Sequence, residues 1–140
     1  MGRRYLFLTV FVAGMSTLAI EFTASRLLQT VYGTSNIVWA NVIGLVLLSL
    51  TAGYFIGGRV ADRYPSTPVF YGLVTAAGFA AIFFLLLTGA ILRDAAAALA
   101  MMNVNALAGS LVLVVLALVV PVTLLGCLSP FAIRLAVQDV

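Results

Sequence analysis

Three long stretches without a charged residue limit what this chain can fold into. Residues 27–58, 64–92 and 95–133 contain no Asp, Glu, Lys or Arg, and each is longer than the roughly 20 apolar residues that cross about 30 Å of hydrocarbon as a helix. With 64% hydrophobic residues, 8% charged residues and a mean hydropathy of +1.24, the chain has too few polar groups to cover a soluble domain. The period-2 alternation of strands is absent, so the runs predict helices. The sequence therefore predicts an all-α integral membrane protein.

The hydrophobic pattern divides into four predicted spans within one transmembrane domain, residues 1–140. The spans are predicted at about 5–28, 36–58, 68–92 and 106–128. A short polar link with a turn at Gly33 joins the first two, and a looser segment that is Ala-rich enough to be helical joins the last two. Prolines in and after the fourth span, Pro121 and Pro130, predict a kink there. The expected fold is a four-helix membrane bundle with both termini on one side.

The arginines indicate how this bundle is oriented. Two of the seven, Arg26 and Arg93, lie on the side opposite the termini. The other five lie on the terminal side: Arg3, Arg4, Arg59, Arg63 and Arg134. Because cytoplasmic segments carry an excess of basic residues, both termini are predicted to be cytoplasmic. The expected location is the cell (inner) membrane, with several crossings.

Charge and composition exclude several classes of function. The net charge of +3 comes from arginines scattered over termini and loops, not from the clustered stripe that a nucleic acid requires. The chain has no His and a single cysteine, Cys127, which cannot assemble the usual zinc or haem ligand sets. We therefore expect no metal site, no cofactor and no nucleic-acid partner.

The first 19 residues are also compatible with a signal peptide. A basic start precedes an apolar core and small residues at Thr17 and Ala19, the pattern of a secretory signal. Apolar sequence resumes at once with Ile20 and Phe22, which favours a first span that is retained.

An acidic residue lies inside the first span. Helical spacing places Gly14, Thr17, Glu21 and Ser25 on one face, and a carboxylate near hydrocarbon is costly unless it is protonated, paired or hydrated. Glu21 is therefore expected to face protein. It is a candidate cation or hydrogen-bond site together with Thr17 and Ser25. The alternative is a protonated side chain that only ties the first span to a neighbouring helix.

The second span carries one amide side chain and a series of small residues. Asn41 is a candidate for the same polar site or for a hydrogen bond between helices. Ser49, Gly53 and Gly57 recur every four residues, a spacing that lets another backbone approach closely. We predict that they form a helix-packing face. Because this face exceeds what a small bundle needs, we also predict a homo-oligomer or a larger complex.

A charged segment, predicted to be a cytoplasmic loop, comes after the second span. Arg59, Asp62 and Arg63 are spaced so that one helical turn can bring them together. With Gly58 they form a G-x-x-x-D-R pattern, which resembles the loop between the second and third helices of major facilitator superfamily (MFS) transporters.

A wider resemblance covers most of the chain. The stretch "GMSTLAIEFTASRLLQTVYGTSNIVWANVIGLVLLSLTAGYFIGGRVADRYP" resembles the N-terminal membrane region of polytopic spermidine synthase-like proteins, also called fused MFS/spermidine synthases. The "LLGCLSPFAIRL" of the fourth span resembles the end of the family's fourth helix. The resemblance implies MFS-like helices and a polyamine or another organic cation as ligand. The family's aminopropyltransferase domain has no counterpart in these residues, so no catalytic residue is carried over.

These observations predict a non-catalytic integral membrane module related to the MFS-like part of such proteins, with a transport-related or accessory role. Its expected partners are the lipid bilayer and other membrane helices. The alternative is a structural subunit of a larger respiratory or photosynthetic membrane complex. A fragment of a synthase-like enzyme is a third interpretation.

Overall fold

The computed structural model of the protein describes residues 3–32, 36–101 and 106–138. Four helices contain all of these residues except 64–66: α1 Arg3–Tyr32, α2 Asn36–Arg63, α3 Thr67–Met101 and α4 Ala106–Gln138. All four are long and apolar enough to cross a membrane. This confirms the prediction of an all-α chain with four helices of membrane-spanning length. The predicted turn at Gly33 lies outside the described residues.

The helices extend further than the predicted spans. α3 continues through Arg93 and Asp94 to Met101, and α4 continues past residue 128 to Gln138. The hydrophobic run marks only the part of a helix that lies in hydrocarbon, whereas the helix itself ends where its backbone bonding ends. Ala-rich sequence, such as residues 95–98, has the strongest helix propensity. This segment is helical, as its alanine content indicates, but it continues α3 to Met101 instead of standing apart from the third span.

The predicted charged loop is wrong in its local structure, because Arg59, Asp62 and Arg63 belong to the last two turns of α2. No proline precedes Pro65, and Gly57 and Gly58 do not interrupt α2, so the helix continues to Arg63. The connection to α3 is short. The carbonyl of Ser66 accepts a hydrogen bond from the Phe70 N–H at 3.2 Å, which starts α3.

α4 is the central helix. It packs most extensively on α2, then on α3 and α1, whereas α2 and α3 do not approach each other within the described part of the chain. Half of its apolar segment Leu118–Val137 is buried, against 17–28% of the segments in the other three helices. Phe70 of α3 and Phe131 of α4 are fully buried, with ring centroids 5.9 Å apart. The core therefore lies along α4.

Both prolines of α4 lie inside the helix, although Pro130 was expected after it. Proline has no N–H, so it cannot bond the carbonyl four residues earlier. The affected carbonyls belong to Ala117 and Gly126. At membrane depth such freed groups are tolerated where protein or a hydrated cavity surrounds them.

Candidate functional site: a cleft at Glu21

The polar face of α1 is partly covered by the rest of the bundle. Thr17 and Ser25 are buried, Glu21 between them is half-buried, and Gly14 is exposed. The Thr17 hydroxyl donates to the Ala13 carbonyl at 3.0 Å. Ser25 is only 2% exposed, and its Oγ has no hydrogen-bond partner among the residues that the structure describes.

Glu21 lines a cleft of about 270 Å³ between α1, α2 and α4. α1 contributes one side from Val10 to Glu21, a length of about three turns. The opposite side comes from residues of the other two helices: Leu50, Tyr54, Leu125, Gly126 and Ser129. The cleft is therefore an elongated space with mostly apolar walls and few polar groups.

The carboxylate of Glu21 is the dominant charge in this cleft. It forms no hydrogen bond or ion pair with any described residue. Arg26, the nearest arginine along α1, is exposed and does not pair with it. The interpretation that Glu21 ties α1 to a neighbouring helix therefore finds no partner among the described residues. A carboxylate in this position is stabilised by water or by a cation that reaches it.

The four residues predicted as one polar site are divided by the structure. Glu21 and Thr17 line the cleft, whereas Ser25 lies one turn beyond it on α1 and is not part of its wall. Asn41 is half-buried near the start of α2 and does not line the cleft either. Helical spacing gives the residues that share a face of α1, but it does not give the depth to which a cleft extends along that face.

The predicted packing face of α2 lies against α4 of the same chain. Gly53 faces the main chain of Thr123, Gly126 and Cys127, and a Cβ atom added at Gly57 would lie 2.5 Å from the Cys127 Cα. Ser49 is buried one turn before Gly53, and its hydroxyl donates to the Leu45 carbonyl at 2.7 Å. The close approach is made within the chain, so these residues give no reason to expect a second copy. The predicted oligomer stays a prediction.

The charged residues at the end of α2 do not form the expected cluster. Asp62 pairs with Arg134 of α4, with 3.3 Å between Oδ1 and Nε, and the Arg59 guanidinium lies 3.7 Å from the centre of the Phe55 ring. Both members of the ion pair are well exposed, 73% for Asp62 and 46% for Arg134. An exposed pair stabilises a fold by at most about 1 kcal/mol.

Tyr54, Gly126 and Ser129 are among the residues of the cleft that sequence reasoning missed. Each lies on a helix that only tertiary packing brings beside Glu21, so no local pattern relates them to it. One signal was present for Gly126, because a glycine four residues before a proline has a carbonyl that the helix cannot bond. Among the described residues, no group of three or more His, Cys, Asp or Glu could hold a metal ion.

Comparisons with protein-family models, with curated proteins and with solved structures give no match. The resemblance to spermidine synthase-like proteins therefore stays a prediction from the sequence.

Proposed function

We propose that the protein is a non-catalytic integral membrane module that binds an organic cation in the Glu21 cleft, in a transport-related or accessory role. One observation carries the proposal: the carboxylate of Glu21 has no described protein partner and lies in the wall of a cleft of about 270 Å³. A carboxylate inside a membrane protein is costly unless something compensates it. A bound cation supplies that compensation.

The neighbouring hydroxyl supports this proposal. Thr17 uses its only proton to bond the Ala13 carbonyl, so its oxygen presents lone pairs to the cleft and no donor. An acceptor beside a carboxylate favours a ligand that carries N–H donors and positive charge. The apolar walls formed by Leu18, Leu50 and Leu125 favour an organic ligand over a hydrated metal ion.

The proposed orientation has both termini and the 64–66 connection in the cytoplasm, with the protein in the cell (inner) membrane. The arginine distribution supports it. In a Cys127→Ala background, Ser66→Cys in intact cells should resist a membrane-impermeant thiol reagent, whereas Thr34→Cys should react. Labelling of Ser66→Cys without labelling of Thr34→Cys would show the inverted orientation.

We also propose that the chain is related to the MFS-like membrane region of spermidine synthase-like proteins. The sequence resemblance alone supports this relationship. Four helices offer little room for alternating access, so a transport role requires helices in addition to α1–α4.

A structural subunit of a larger respiratory or photosynthetic complex is the second candidate. The apolar segments of α1 and α3 are only 22% and 17% buried within the chain, and in such a complex partner helices would take the place of lipid on these faces. Purification in mild detergent and then identification of bound proteins distinguishes this role from that of a self-contained binding module.

Ligand-induced stabilisation tests cation binding. The protein in lipid nanodiscs is heated with and without each of three probes: hexylammonium, butane-1,4-diammonium and spermidine. At least one probe should raise the unfolding midpoint of the wild type but not of Glu21→Gln, which keeps the shape and loses the charge. Asp62→Asn, which removes an acid outside the cleft, is the matched control and should respond like the wild type. The proposal is wrong if no probe stabilises the wild type, or if the stabilisation survives in Glu21→Gln.

A further inference from the structure

The charge and the backbone of the cleft wall define the ligand more closely. We infer that the cleft selects a primary ammonium with one positive charge and an apolar stem, and that the Gly126 carbonyl binds this ammonium together with the Glu21 carboxylate. This inference rests on the proposed function, because it requires that Glu21 binds a cation.

The number of acidic residues in the cleft favours a ligand with a single positive charge. Glu21 is the only acidic residue in the described wall of the cleft. Of the other acids that the structure describes, Asp62 is paired with Arg134 at the end of α2, and Asp94 lies on α3, which contributes no described residue to the wall. A polyamine brings two or more positive charges. Each charge beyond the first would lie in a mostly apolar cleft, where Tyr54 and Ser129 offer hydroxyl groups but no described residue offers a second counter-ion, which opposes binding.

The backbone of α4 supplies a second acceptor. Gly126 lines the cleft, and because it has no side chain, its contribution to the wall is main chain. In an uninterrupted helix its carbonyl would accept the N–H of residue 130. Residue 130 is a proline inside α4 and has no N–H to donate. The carbonyl therefore keeps its acceptor capacity for a ligand, as carbonyls beside helix breaks do at cation sites in membrane transporters.

The walls of the cleft determine which group can extend from the charged head of the ligand. Val10, Ala13 and Leu18 of α1 face Leu50 of α2 and Leu125 of α4 across the cleft. The α1 side from Val10 to Glu21 is about 16 Å long at 1.5 Å per residue. An alkyl stem along these side chains removes apolar surface from water, whereas a second ammonium at its far end meets no second carboxylate.

A set of three six-carbon ligands tests the inference: hexylammonium, hexane-1,6-diammonium and hexyltrimethylammonium. Their affinities for the wild type in nanodiscs are measured by calorimetric titration. Hexylammonium should bind about tenfold more tightly than either of the others, the scale of one lost hydrogen bond to a charged group. If the diammonium binds as tightly and still requires Glu21, this inference fails while the proposed function stands. If no ligand requires Glu21, the proposed function fails.

The two prolines of α4 provide a matched pair of variants for the role of the carbonyl. Pro130→Ala restores the N–H that bonds the Gly126 carbonyl. We expect it to weaken hexylammonium about tenfold, to leave hexyltrimethylammonium unchanged because that ligand has no N–H, and to keep or raise thermal stability because alanine suits a helix better than proline. Pro121→Ala is the control. It restores the bond to Ala117, which lies nine residues before Gly126 and on the opposite face of α4.

Three results would overturn the role of the carbonyl. The first is an unchanged affinity for hexylammonium in Pro130→Ala. The second is an equal loss in both proline variants, which would indicate a general effect of straightening α4. The third is an equal loss for both monocations in Pro130→Ala, which would indicate a change of cleft shape.

Discussion

α4 packs against α2 and against α1 in two different ways. Towards α2, main chain approaches main chain, because Gly53 and Gly57 face Gly126 and Cys127 without intervening side chains. Towards α1, the same part of α4 leaves a cleft of about 270 Å³, with Glu21 in its wall. Gly126 takes part in both contacts. The same glycine of α4 therefore lies at a close backbone contact on the α2 side and at an open space on the α1 side, where Gly14 also lines the cleft.

The contact between α2 and α4 should be more sensitive to an added side chain than the contact between α1 and α4. Gly57→Leu gives the largest expected effect on stability. A Cβ atom at Gly57 would lie 2.5 Å from backbone atoms of Cys127, whereas a Cβ at Gly58 has nothing within 4 Å. We expect Gly57→Leu to lower the free energy of unfolding by about 3 kcal/mol, the upper range for overpacking. Gly58→Leu is the matched control and should change little. Equal losses in a denaturant titration would contradict the close contact of α2 with α4.

The open contact should tolerate loss of its polar group. Because Glu21 has no described partner, Glu21→Leu should raise the free energy of unfolding by about 1–2 kcal/mol, a fraction of the cost of a charge at the bilayer centre. Glu21→Gln should give a smaller increase. A clear loss of stability in Glu21→Leu would instead show that the carboxyl bonds a neighbouring helix, as the structural interpretation of the sequence requires.

A pair of glycine to alanine changes sharpens the comparison with the smallest possible side chain. Gly14 lines the cleft, and a Cβ there meets nothing within 4 Å. Gly14→Ala should therefore stabilise α1 by about 0.5–1 kcal/mol, the difference in helix propensity. Gly53→Ala should destabilise, because its Cβ would contact the Thr123 carbonyl. If Gly14→Ala and Gly53→Ala both raise, or both lower, the unfolding temperature, the α1 contact is not open where the α2 contact is closed.

The smallest effect is expected outside both contacts, at the ion pair of Asp62 and Arg134. Since both side chains are exposed, Asp62→Asn should change the free energy of unfolding by less than about 1 kcal/mol. Arg134→Gln should have the same effect, and the two changes together should cost no more than either alone. A coupling energy above about 1 kcal/mol between Asp62 and Arg134 in this double-mutant cycle would mean that the pair is shielded from solvent.

The sequence predicts the helices well because long uncharged runs and Ala-rich sequence act locally. It predicts the ends of the helices less well, because a hydrophobic run shows which residues lie in the membrane and does not show where backbone hydrogen bonding ends. The glycines of α2 and the acid of α1 are visible as unusual residues in apolar segments. Their surroundings are not visible. Nothing in the sequence indicates that Gly57 faces Cys127 or that Asp62 bonds Arg134 instead of Arg59, since these contacts depend on how separate helices pack.

Thiol labelling tests most directly whether α4 is open towards α1 and closed towards α2. Cys127 is the chain's single cysteine, is 2% exposed and lies at the α2 contact. In nanodiscs it should resist a water-soluble methanethiosulfonate reagent. In a Cys127→Ala background, Gly14→Cys should react at the cleft and should be protected by hexylammonium only while Glu21 is present. Two results would contradict a cation-binding cleft at Glu21. One is that Cys127 reacts as fast as the cysteine in Gly14→Cys, and the other is that hexylammonium does not slow the labelling of Gly14→Cys.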